Sequence, residues 1–197
     1  MKISTLFNES KPIISFEIFP PKQTTSIESI YSTIDALAPL SPDFISVTYG
    51  AGGSTQGKTV QIASLLKNQY NITPLAHLTC VGGSKESMDQ ILDELEREGV
   101  HNILALRGDL PEGSSLGDFS YASDLIKYIK QRDSFDVAAA CYPEKHIEAL
   151  TLEEDIKHLQ YKVDCGAELL ISQLFFDNDA FYKWRENVRS QGIHTPI

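Results

Sequence analysis

The sequence predicts an α/β protein of the eight-fold (β/α) TIM-type barrel class, formed by parallel strands. Short apolar segments alternate with amphipathic helical segments along the chain, and a polar residue recurs where each apolar segment ends. These segments are apolar on both faces, which is typical of parallel strands covered by helices. The six predicted strands are 13–19, 44–49, 73–80, 102–108, 136–142 and 169–176.

The segments between the strands carry apolar residues at three- and four-residue spacing, which predicts helices with one buried face. Thr151 followed by Glu154 is a capping-box pattern. Gly99, Gly166 and Gly192 follow helical segments, where a left-handed residue is favoured. The clearest apolar stripes are Ile27, Ile30, Ile34 and Leu37, then Met88, Ile91, Leu92 and Leu95, then Leu152, Ile156, Leu159 and Val163.

Polar residues at the strand ends favour a barrel over an open doubly wound sheet. A barrel collects all these ends around one mouth, whereas an open sheet uses only the strands at its switch point. They recur about every 30 residues, as expected for successive β/α units. The residues are Glu17, Thr48, His77, Arg107, Tyr142 and Gln173.

The strand count predicts an incomplete barrel. Six strands are present, a seventh is expected to begin within residues 194–197, and eight are needed for closure. We therefore expect residues 1–197 to form one barrel domain, truncated at its C-terminal end by roughly 60 to 100 residues. Its open strand edges favour association, so we expect a homo-oligomer.

Composition excludes several classes of function. The net charge of −10 and the pI near 4.9 argue against nucleic-acid binding. No polybasic cluster, signal peptide or spanning apolar run is apparent, so no membrane partner is expected. Cys80, Cys141 and Cys165 lack metal-ligand spacing, which predicts reduced thiols in a cytoplasmic protein without a metal.

Glu17 lies between apolar neighbours in SFEIFPPK. Burial disfavours the charged form of a carboxyl group, which suits a general acid that works near neutral pH. The alternative is a structural ion pair with a nearby cation. In LRGDLP, Gly108 would let a flat ligand approach the backbone, and Arg107 and Asp109 would bind and polarise it. The alternative there is a surface turn with a weak ion pair.

The other strand-end residues are less specific. His77 fits a core residue or a site residue equally well, and Thr48 and Gln173 are suited to orienting a heterocycle. Tyr142 offers a flat ring, and because neighbours on a strand face opposite ways, Cys141 is then a packing residue. The glycine-rich stretch 50–55 lacks dinucleotide and P-loop spacing and predicts only a mouth loop. Without a metal set or a nucleophile–base triad, the residues suit redox chemistry by an organic cofactor.

Several strings name that cofactor by resemblance. SFEIFPPK, FISVTYGAGGST, AHLTC, ALRGDLP, YASDLI, AAACYPEKH, DIKHLQYKVDCGA and ISQLFFD occur in the order seen in methylenetetrahydrofolate reductases. The chain resembles this family from about Ile13 to its end. The resemblance implies an FAD-containing barrel that reduces 5,10-methylenetetrahydrofolate to 5-methyltetrahydrofolate with NADH or NADPH. Hydride passes through FAD by a ping-pong mechanism, in one-carbon metabolism and methionine biosynthesis.

The resemblance also implies roles for individual residues. Glu17 matches the general acid that opens the folate imidazolidine ring to the iminium, and Asp109 matches an aspartate near flavin and folate. Gln173 matches a folate contact. Asp155 and Lys162 match contacts to the ribose and phosphate side of FAD, two helical turns apart. The remaining positions that match FAD contacts are Thr48, Tyr49, His77, Leu106, Arg107, Gly108, Asp109, Tyr121, Ala122, Tyr142, His146 and Ala149.

The chain departs from the family pattern in three respects, which affect the activity that we expect of it. The usual HPEA string reads His146-Ile147-Glu148-Ala149 here, no regulatory domain for S-adenosylmethionine is expected, and the last two strands are absent. We expect such a chain to bind FAD weakly, to turn over little folate and to self-associate. The alternatives are a proline-dehydrogenase-like flavin barrel, a non-catalytic flavin-binding fragment and a metabolite-binding barrel.

Overall fold

The six predicted strands form one parallel sheet in sequence order. The computed structural model describes residues 1–8, 11–21, 26–49, 56–109 and 117–197. Each strand pairs in parallel with the next, and the sheet curls into an incomplete (β/α) barrel of the predicted class. The strands are β1 (Ser15–Ile18), β2 (Phe44–Val47), β3 (Pro74–Thr79), β4 (Asn102–Leu106), β5 (Asp136–Cys141) and β6 (Leu169–Ser172).

The predicted apolar stripes face the sheet. Ile30, Ile34, Ile156 and Leu159 are buried, as is the whole stripe of the third helix. None of the described helices is both long enough and apolar enough to cross a membrane. The helices are α1 (Ser29–Leu37), α2 (Gln56–Asn68), α3 (Lys85–Arg97), α4 (Ala122–Ile129), α5 (Leu152–Asp164) and α6 (Asn178–Ser190), with 3₁₀ helices at Ile3–Asn8 and Ala38–Leu40.

The predicted capping box at the start of α5 forms, but one of its two hydrogen bonds is made to a different residue from the one expected. The Thr151 hydroxyl accepts a hydrogen bond from the Glu154 backbone N–H at 3.1 Å, as predicted. The Glu154 carboxylate accepts from the N–H of Leu150 at 3.0 Å, one residue before the expected partner. Both bonds satisfy amides at the start of the helix, so the cap still fixes where α5 begins beside the barrel mouth.

The strands separate two apolar cores. The larger core lies between the sheet and the helices. The smaller core lies inside the curl, where Leu75, Leu104, Ala138 and Leu169 meet. These residues belong to four neighbouring strands, so the inside of the incomplete barrel is filled by side chains, as in complete barrels.

The N-terminal 3₁₀ helix covers the end of the curl at which β4 and β5 begin. Ile3 N–H donates to the Asn102 side-chain oxygen at 2.9 Å, and Ser4 donates to Asp136 from both its N–H and its hydroxyl, each at 2.8 Å. Ile3 and Leu6 join the inner core. Asn102 and Asp136 are buried polar residues at the starts of their strands. The 3₁₀ helix thus seals the end opposite the strand ends that carry the predicted site.

Residues 194–197 do not form the predicted seventh strand. They nevertheless run beside β6, because the Pro196 carbonyl accepts a hydrogen bond from Leu170 N–H at 2.8 Å. Arg189 holds this segment by donating to the carbonyls of Ile193 and Thr195 at 2.6 and 2.8 Å. The segment therefore follows the course that a next parallel strand would take, with one ladder bond formed.

Candidate active site

The parallel order of the strands places all six C-terminal ends on one side of the sheet. Glu17 is one residue from the end of β1 and lies opposite Ser46 of β2 in the strand register. His77 lies in β3. Ser46 donates its hydroxyl to Glu17 Oε2 at 3.2 Å, and His77 Nε2 lies 3.4 Å from the same oxygen. Three neighbouring strands thus bring three polar side chains together at the mouth.

The predicted burial of Glu17 is wrong. Its side chain is 50% exposed, because β1 is the edge strand of the described sheet and pairs only with β2. Ser46 and His77 are buried. One carboxylate oxygen of Glu17 therefore contacts buried groups while the side chain remains open to the mouth. A carboxyl group in this position can exchange a proton with a ligand in the mouth.

His77 is a neutral imidazole in this environment. Burial lowers its pKa from 6.5 to about 4. The nearby Glu17 carboxylate would favour the protonated form, but it is half exposed and screened by water, so desolvation dominates. Within the described residues, His77 Nε2 makes no well-aligned hydrogen bond. A neutral imidazole this close to Glu17 can orient the carboxyl group without taking its proton.

A cleft of about 480 Å³ opens at the ends of β4 and β5, between α4 and α5. Its size is within the usual range for small-molecule sites, roughly 300 to 1,000 Å³. Thr48, Tyr49, His77, Gly108 and Asp109 do not line it. The predicted FAD contacts that line the cleft are Leu106, Arg107, Tyr121, Ala122, Tyr142, His146, Ala149, Asp155 and Lys162.

Lys162 is a half-buried cation of this cleft. Its Nζ donates to the Ala140 carbonyl at 2.9 Å and lies 5.5 Å from the centre of the Tyr142 ring. Burial lowers the pKa of Lys162, opposed by the charge of Asp155. The Tyr142 ring packs edge-on against the His146 ring, with 4.7 Å between the two ring centres. A half-buried ammonium group beside an aromatic ring favours an anionic ligand, such as a phosphate, because its charge is less screened than at the open surface.

Asp155 and His146 order the loop between β5 and α5. The buried Asp155 carboxylate accepts a hydrogen bond from the His146 backbone N–H at 3.3 Å. His146 Nδ1 accepts from the backbone N–H of Glu148 at 3.1 Å. A neutral His146 therefore carries its proton on Nε2, which leaves that nitrogen as the donor. This loop thus offers the cleft one oriented imidazole.

Arg107 is paired with Glu148 instead of Asp109. Its two terminal nitrogens donate to the two Glu148 carboxylate oxygens at 2.5 and 2.6 Å. This bond raises the pKa of Arg107 and lowers that of Glu148. Asp109 is exposed, one residue beyond Gly108. The alternative interpretation, a surface turn with a weak Arg107–Asp109 ion pair, is therefore not what forms: the loop after β5 supplies the partner carboxylate of Arg107 in bidentate geometry, and the Asp109 side chain is exposed to solvent.

A glycine is required at position 108 by its backbone conformation and by the side chains that surround it. Its φ of +86° disfavours other residues, and a Cβ there would lie 2.9 Å from Val81 Cγ1 and 3.0 Å from Thr79 Cβ. The space beside Gly108, which was predicted for a ligand, is thus occupied by Thr79 at the end of β3 and by Val81. Leu110 and Pro111, together with the glycine-rich stretch 50–55, lie outside the described residues.

The remaining predicted residues divide between the mouth and the core. Gln173 is exposed after β6, where its backbone N–H donates to the Cys141 carbonyl at 2.8 Å. Tyr49 packs against the core between sheet and helices, and burial raises its pKa to about 12. Thr48 N–H donates to the Ile18 carbonyl at 3.0 Å. Cys141 is buried in the same core as Tyr49, which confirms its interpretation as a packing residue.

Sequence reasoning missed several residues of the site. Ser46 holds Glu17, although strand alternation places it on the same face as Thr48. His158 and Tyr161 line the cleft from α5 together with Asp155 and Lys162, and helical spacing from those two would have found His158, three residues after Asp155 and four before Lys162. In the sequence, Glu148 stands out only as a member of the four-residue segment 146–149. Its pairing with Arg107 depends on loop geometry that carries no periodic signal.

The residues of the cleft fit a dinucleotide flavin better than a metal. The cleft combines aromatic rings, a half-buried ammonium group and histidine, which suit a flat ring and phosphates. Among the described residues, no group of three or more His, Cys, Asp or Glu is arranged to hold a metal ion. Lys162 and Tyr142 would contact such a cofactor.

Solved structures with this fold differ widely in sequence. A 2,3-dimethylmalate lyase aligns over 100% of this chain and 69% of its own, with a TM-score of 0.67 and 16% identity. An uncharacterized protein from Clostridium thermocellum that binds two copies of 5-methyl-5,6,7,8-tetrahydrofolic acid aligns over 95% of this chain and 62% of its own, with a TM-score of 0.62 and 15% identity. At such identities the likeness shows the fold alone.

Sequence comparison is more specific. The profile of the family described as methylenetetrahydrofolate reductase matches residues 2–197. The 5,10-methylenetetrahydrofolate reductases of Pectobacterium carotovorum and Escherichia coli are both 38% identical over 93% of this chain, which spans 61% and 62% of their lengths. Methylenetetrahydrofolate reductase (NADH) 1 of Arabidopsis thaliana is 36% identical over 100% of this chain, which spans 36% of it. This chain belongs to the methylenetetrahydrofolate reductase family.

Proposed function

We propose that the protein formed by this chain reduces 5,10-methylenetetrahydrofolate to 5-methyltetrahydrofolate, with NADH or NADPH as the reductant and FAD as the bound cofactor. The family match and the similarity to bacterial and plant methylenetetrahydrofolate reductases support the reaction. The folate ligand of the Clostridium thermocellum structure is in keeping with a folate at the mouth of this fold. One-carbon metabolism and methionine biosynthesis in the cytoplasm are part of the same proposal.

The observation that carries the proposal is the Glu17–Ser46–His77 cluster, which lies at the same barrel mouth as the cleft. It presents a carboxyl group that is fixed on one oxygen by the Ser46 hydroxyl, has His77 Nε2 at 3.4 Å from that oxygen and is accessible to a ligand. Active sites of such barrels lie at this face. A proton donor at the same mouth as a site for a flat cofactor matches a reaction that needs one proton and one hydride.

The cofactor would lie along the cleft. Lys162 and His146 would bind phosphate and ribose oxygens, and Tyr142 would lie against a flat ring. Asp155 would act through the loop that it orders. When bound, FAD supplies two-electron chemistry, accepting a hydride from the nicotinamide and delivering it to the folate in a ping-pong cycle. The chain's own residues orient the two partners and move the proton.

Glu17 would deliver that proton to the folate. Protonation of a ring nitrogen opens the imidazolidine and leaves a cationic iminium at the carbon that accepts the hydride. The neutral His77 does not compete for the proton, because its pKa of about 4 is well below neutrality. The Asp109 carboxylate would favour the cation electrostatically. The exposed Gln173 side chain would contact the pterin or its linker.

Anaerobic half-reactions test the proposal. Protein loaded with FAD is mixed with NADH or NADPH, and bleaching of the flavin band near 450 nm is followed; methylenetetrahydrofolate is then added to restore it. We expect bleaching by the nicotinamide and recovery with the folate. Because the chain spans less than two thirds of its bacterial relatives, the assay is run on this chain and on a form extended to eight strands. No recovery in either form would overturn the folate assignment.

The competing proposal is a flavin-binding fragment without catalysis that associates through its open edges. The open outer edge of β1 in the described sheet favours it, as does that of β6, which carries one bond to Pro196 and no further strand. Such a fragment would bind FAD without oxidation of NADH, and light scattering would show a homo-oligomer. The same half-reaction experiment separates the two, since only the enzyme transfers electrons.

A further inference from the structure

Residues 1–8, which we call the plug, meet two carboxyl groups at the end of the barrel opposite the mouth. Asp136 begins β5, and Glu168 immediately precedes β6. The Ser4 N–H and hydroxyl both donate to the Asp136 carboxylate at 2.8 Å, and Lys2 Nζ lies 3.7 Å from Glu168 Oε1. The plug thus brings two donors and one positive charge to two acidic side chains.

The two carboxyl groups differ in how readily they lose their charge. Asp136 is 3% exposed, and burial raises its pKa; the Ser4 bonds oppose this rise and the neighbouring Glu168 carboxyl adds to it. Burial acts on Glu168 in the same direction, but Lys130 Nζ at 3.0 Å and Lys2 outweigh it and lower the pKa of Glu168. As the pH falls, the first proton that the pair takes up therefore resides mainly on Asp136.

Docking of the plug and protonation of Asp136 compete. Ser4 uses both oxygens of this carboxylate, Oδ2 for its N–H and Oδ1 for its hydroxyl. Hydrogen bonds to an ionised group are roughly twice as strong as those between neutral groups, and a protonated carboxyl group also has a donor where it had an acceptor. By linkage, the ionised carboxylate binds the plug more tightly, and this gain is lost as the pH falls through its pKa.

Further titratable side chains beside the pair are Lys2, Lys130 and His101. The His101 carbonyl accepts a hydrogen bond from the Asp136 N–H at 2.8 Å, and Lys130 also donates to the Phe135 carbonyl at 3.3 Å. Lysine stays charged in mild acid, whereas a histidine can change its charge there. His101 therefore needs a control of its own.

We propose that residues 1–8 are a pH-controlled plug, which Ser4 holds on the ionised Asp136 carboxylate and which opens more often when that carboxyl group is protonated. Ile3 and Leu6 pack in the inner core with Leu104, so apolar contacts favour docking at every pH and the proton changes the open fraction. Opening exposes this end of the inner core to water. The inference concerns the end of the barrel opposite the proposed site and does not depend on the proposed function.

Hydrogen–deuterium exchange of the 197-residue chain measures opening of the plug. After correction for the intrinsic exchange rate, we expect the Ile3 and Ser4 amides to exchange at least about 10-fold faster at pH 5 than at pH 7, because two charge-assisted bonds are weakened together. Amides of β4 should stay far better protected at both pH values, so that the exchange of Ile3 and Ser4 reports opening of the plug and not unfolding of the barrel.

Three variants separate Asp136 from its surroundings. Asp136→Asn keeps the size of the side chain and one acceptor but cannot ionise, so its plug amides should exchange at least about 10-fold faster than wild type at pH 7 and change little more at pH 5. His101→Gln should keep the wild-type pH response. Asp164→Asn is the matched control, because Asp164 is an exposed carboxylate in α5 that accepts from Gln160 on the same helix.

Several results would overturn the proposal. These are equal exchange of the wild-type plug amides at the two pH values, a full wild-type pH response in Asp136→Asn, and loss of that response in His101→Gln. If Asp136→Asn also loses protection in β4, Ser4→Ala decides in its place. It removes the hydroxyl donor and keeps the N–H, so it should speed plug exchange by about 3- to 10-fold at pH 7 and reduce the pH response. Wild-type behaviour of Ser4→Ala contradicts the proposal.

Discussion

Glu17 Oε2 lies 3.4 Å from His77 Nε2, across two strands that are not neighbours in the sheet. Ser46, on the strand between them, donates its hydroxyl to the same oxygen at 3.2 Å. The carboxyl group proposed to act as the acid is thus held by the Ser46 hydroxyl and lies against His77, both of them buried, although it is itself half exposed. In the proposed mechanism this arrangement aims the proton toward the mouth.

Titration of His77 should make the fold less stable in mild acid. Its folded pKa of about 4 lies below the unfolded value of 6.5, so the unfolded chain binds more protons between these values. Stability present above pH 6.5 is therefore lost as the pH falls toward 4, by about 2–3 kcal/mol. Urea unfolding at pH 7 and pH 4.5 would measure it. His77→Gln should show a correspondingly smaller loss, and equal pH dependence in both proteins would contradict the assignment.

Removing the Ser46 hydroxyl should slow folate reduction without affecting reduction of the flavin. Ser46→Ala takes one hydrogen bond from the Glu17 carboxylate, and a bond to a charged group contributes about 1.5–3 kcal/mol when buried. Because Glu17 is half exposed, we expect a smaller effect, about 3- to 10-fold on the folate step. The pH dependence of the rate of that step should shift in Ser46→Ala and should return to that of the wild type in Ser46→Thr. An unshifted profile would make Ser46 a packing residue.

The N-terminal 3₁₀ helix should contribute to stability through Asp136. Asp136→Ala leaves the Ser4 N–H and hydroxyl without their acceptor and should lower the free energy of unfolding by about 2–3 kcal/mol. Ser4→Ala removes one of the two bonds and should lower it by about 1 kcal/mol. Thr5→Ala is the control, because its hydroxyl bond to the Lys2 carbonyl is exposed. Equal losses in all three variants would show that the contact with Asp136 is not what holds the helix.

The flavin that copurifies with the chain should be FAD. Lys162 and the cleft around it suit a second phosphate and a second ring system, which FMN lacks. Heat release followed by chromatography identifies the cofactor. Lys162→Met keeps the length of the side chain without its charge and should reduce bound FAD by roughly 10-fold or more, as expected for a half-buried charged contact. FMN as the sole species would contradict the proposal.

Much of the fold could be predicted because its signals are periodic. The stripe from Met88 to Leu95 is buried as expected, and the repeat of strand-end residues correctly placed Glu17 and His77 at one mouth. The 3₁₀ helix escaped prediction because a six-residue segment has no measurable periodicity. Its partners, Asn102 and Asp136, were ordinary polar residues in the sequence.

The site was less predictable than the fold because its contacts depend on edges and loops. Burial of Glu17 was inferred from apolar sequence neighbours, but exposure depends on whether a further strand lies beside β1. The partner of Arg107 lies in the loop after β5, forty-one residues away, and no spacing rule selects Glu148 over Asp109. Tyr161 is at neither three- nor four-residue spacing from Asp155 or Lys162, and an exposed tyrosine carries no functional signal without the cleft around it.

The most direct test of the central claim is a stopped-flow comparison of the two half-reactions in Glu17→Gln, made in a form extended to eight strands. The amide keeps the size of the side chain but cannot deliver a proton. We predict that reduction of the flavin by NADH stays within about twofold of wild type, while reoxidation by methylenetetrahydrofolate falls by at least about 100-fold. Equal loss in both half-reactions, or full folate turnover, would contradict the assignment of Glu17 as the acid.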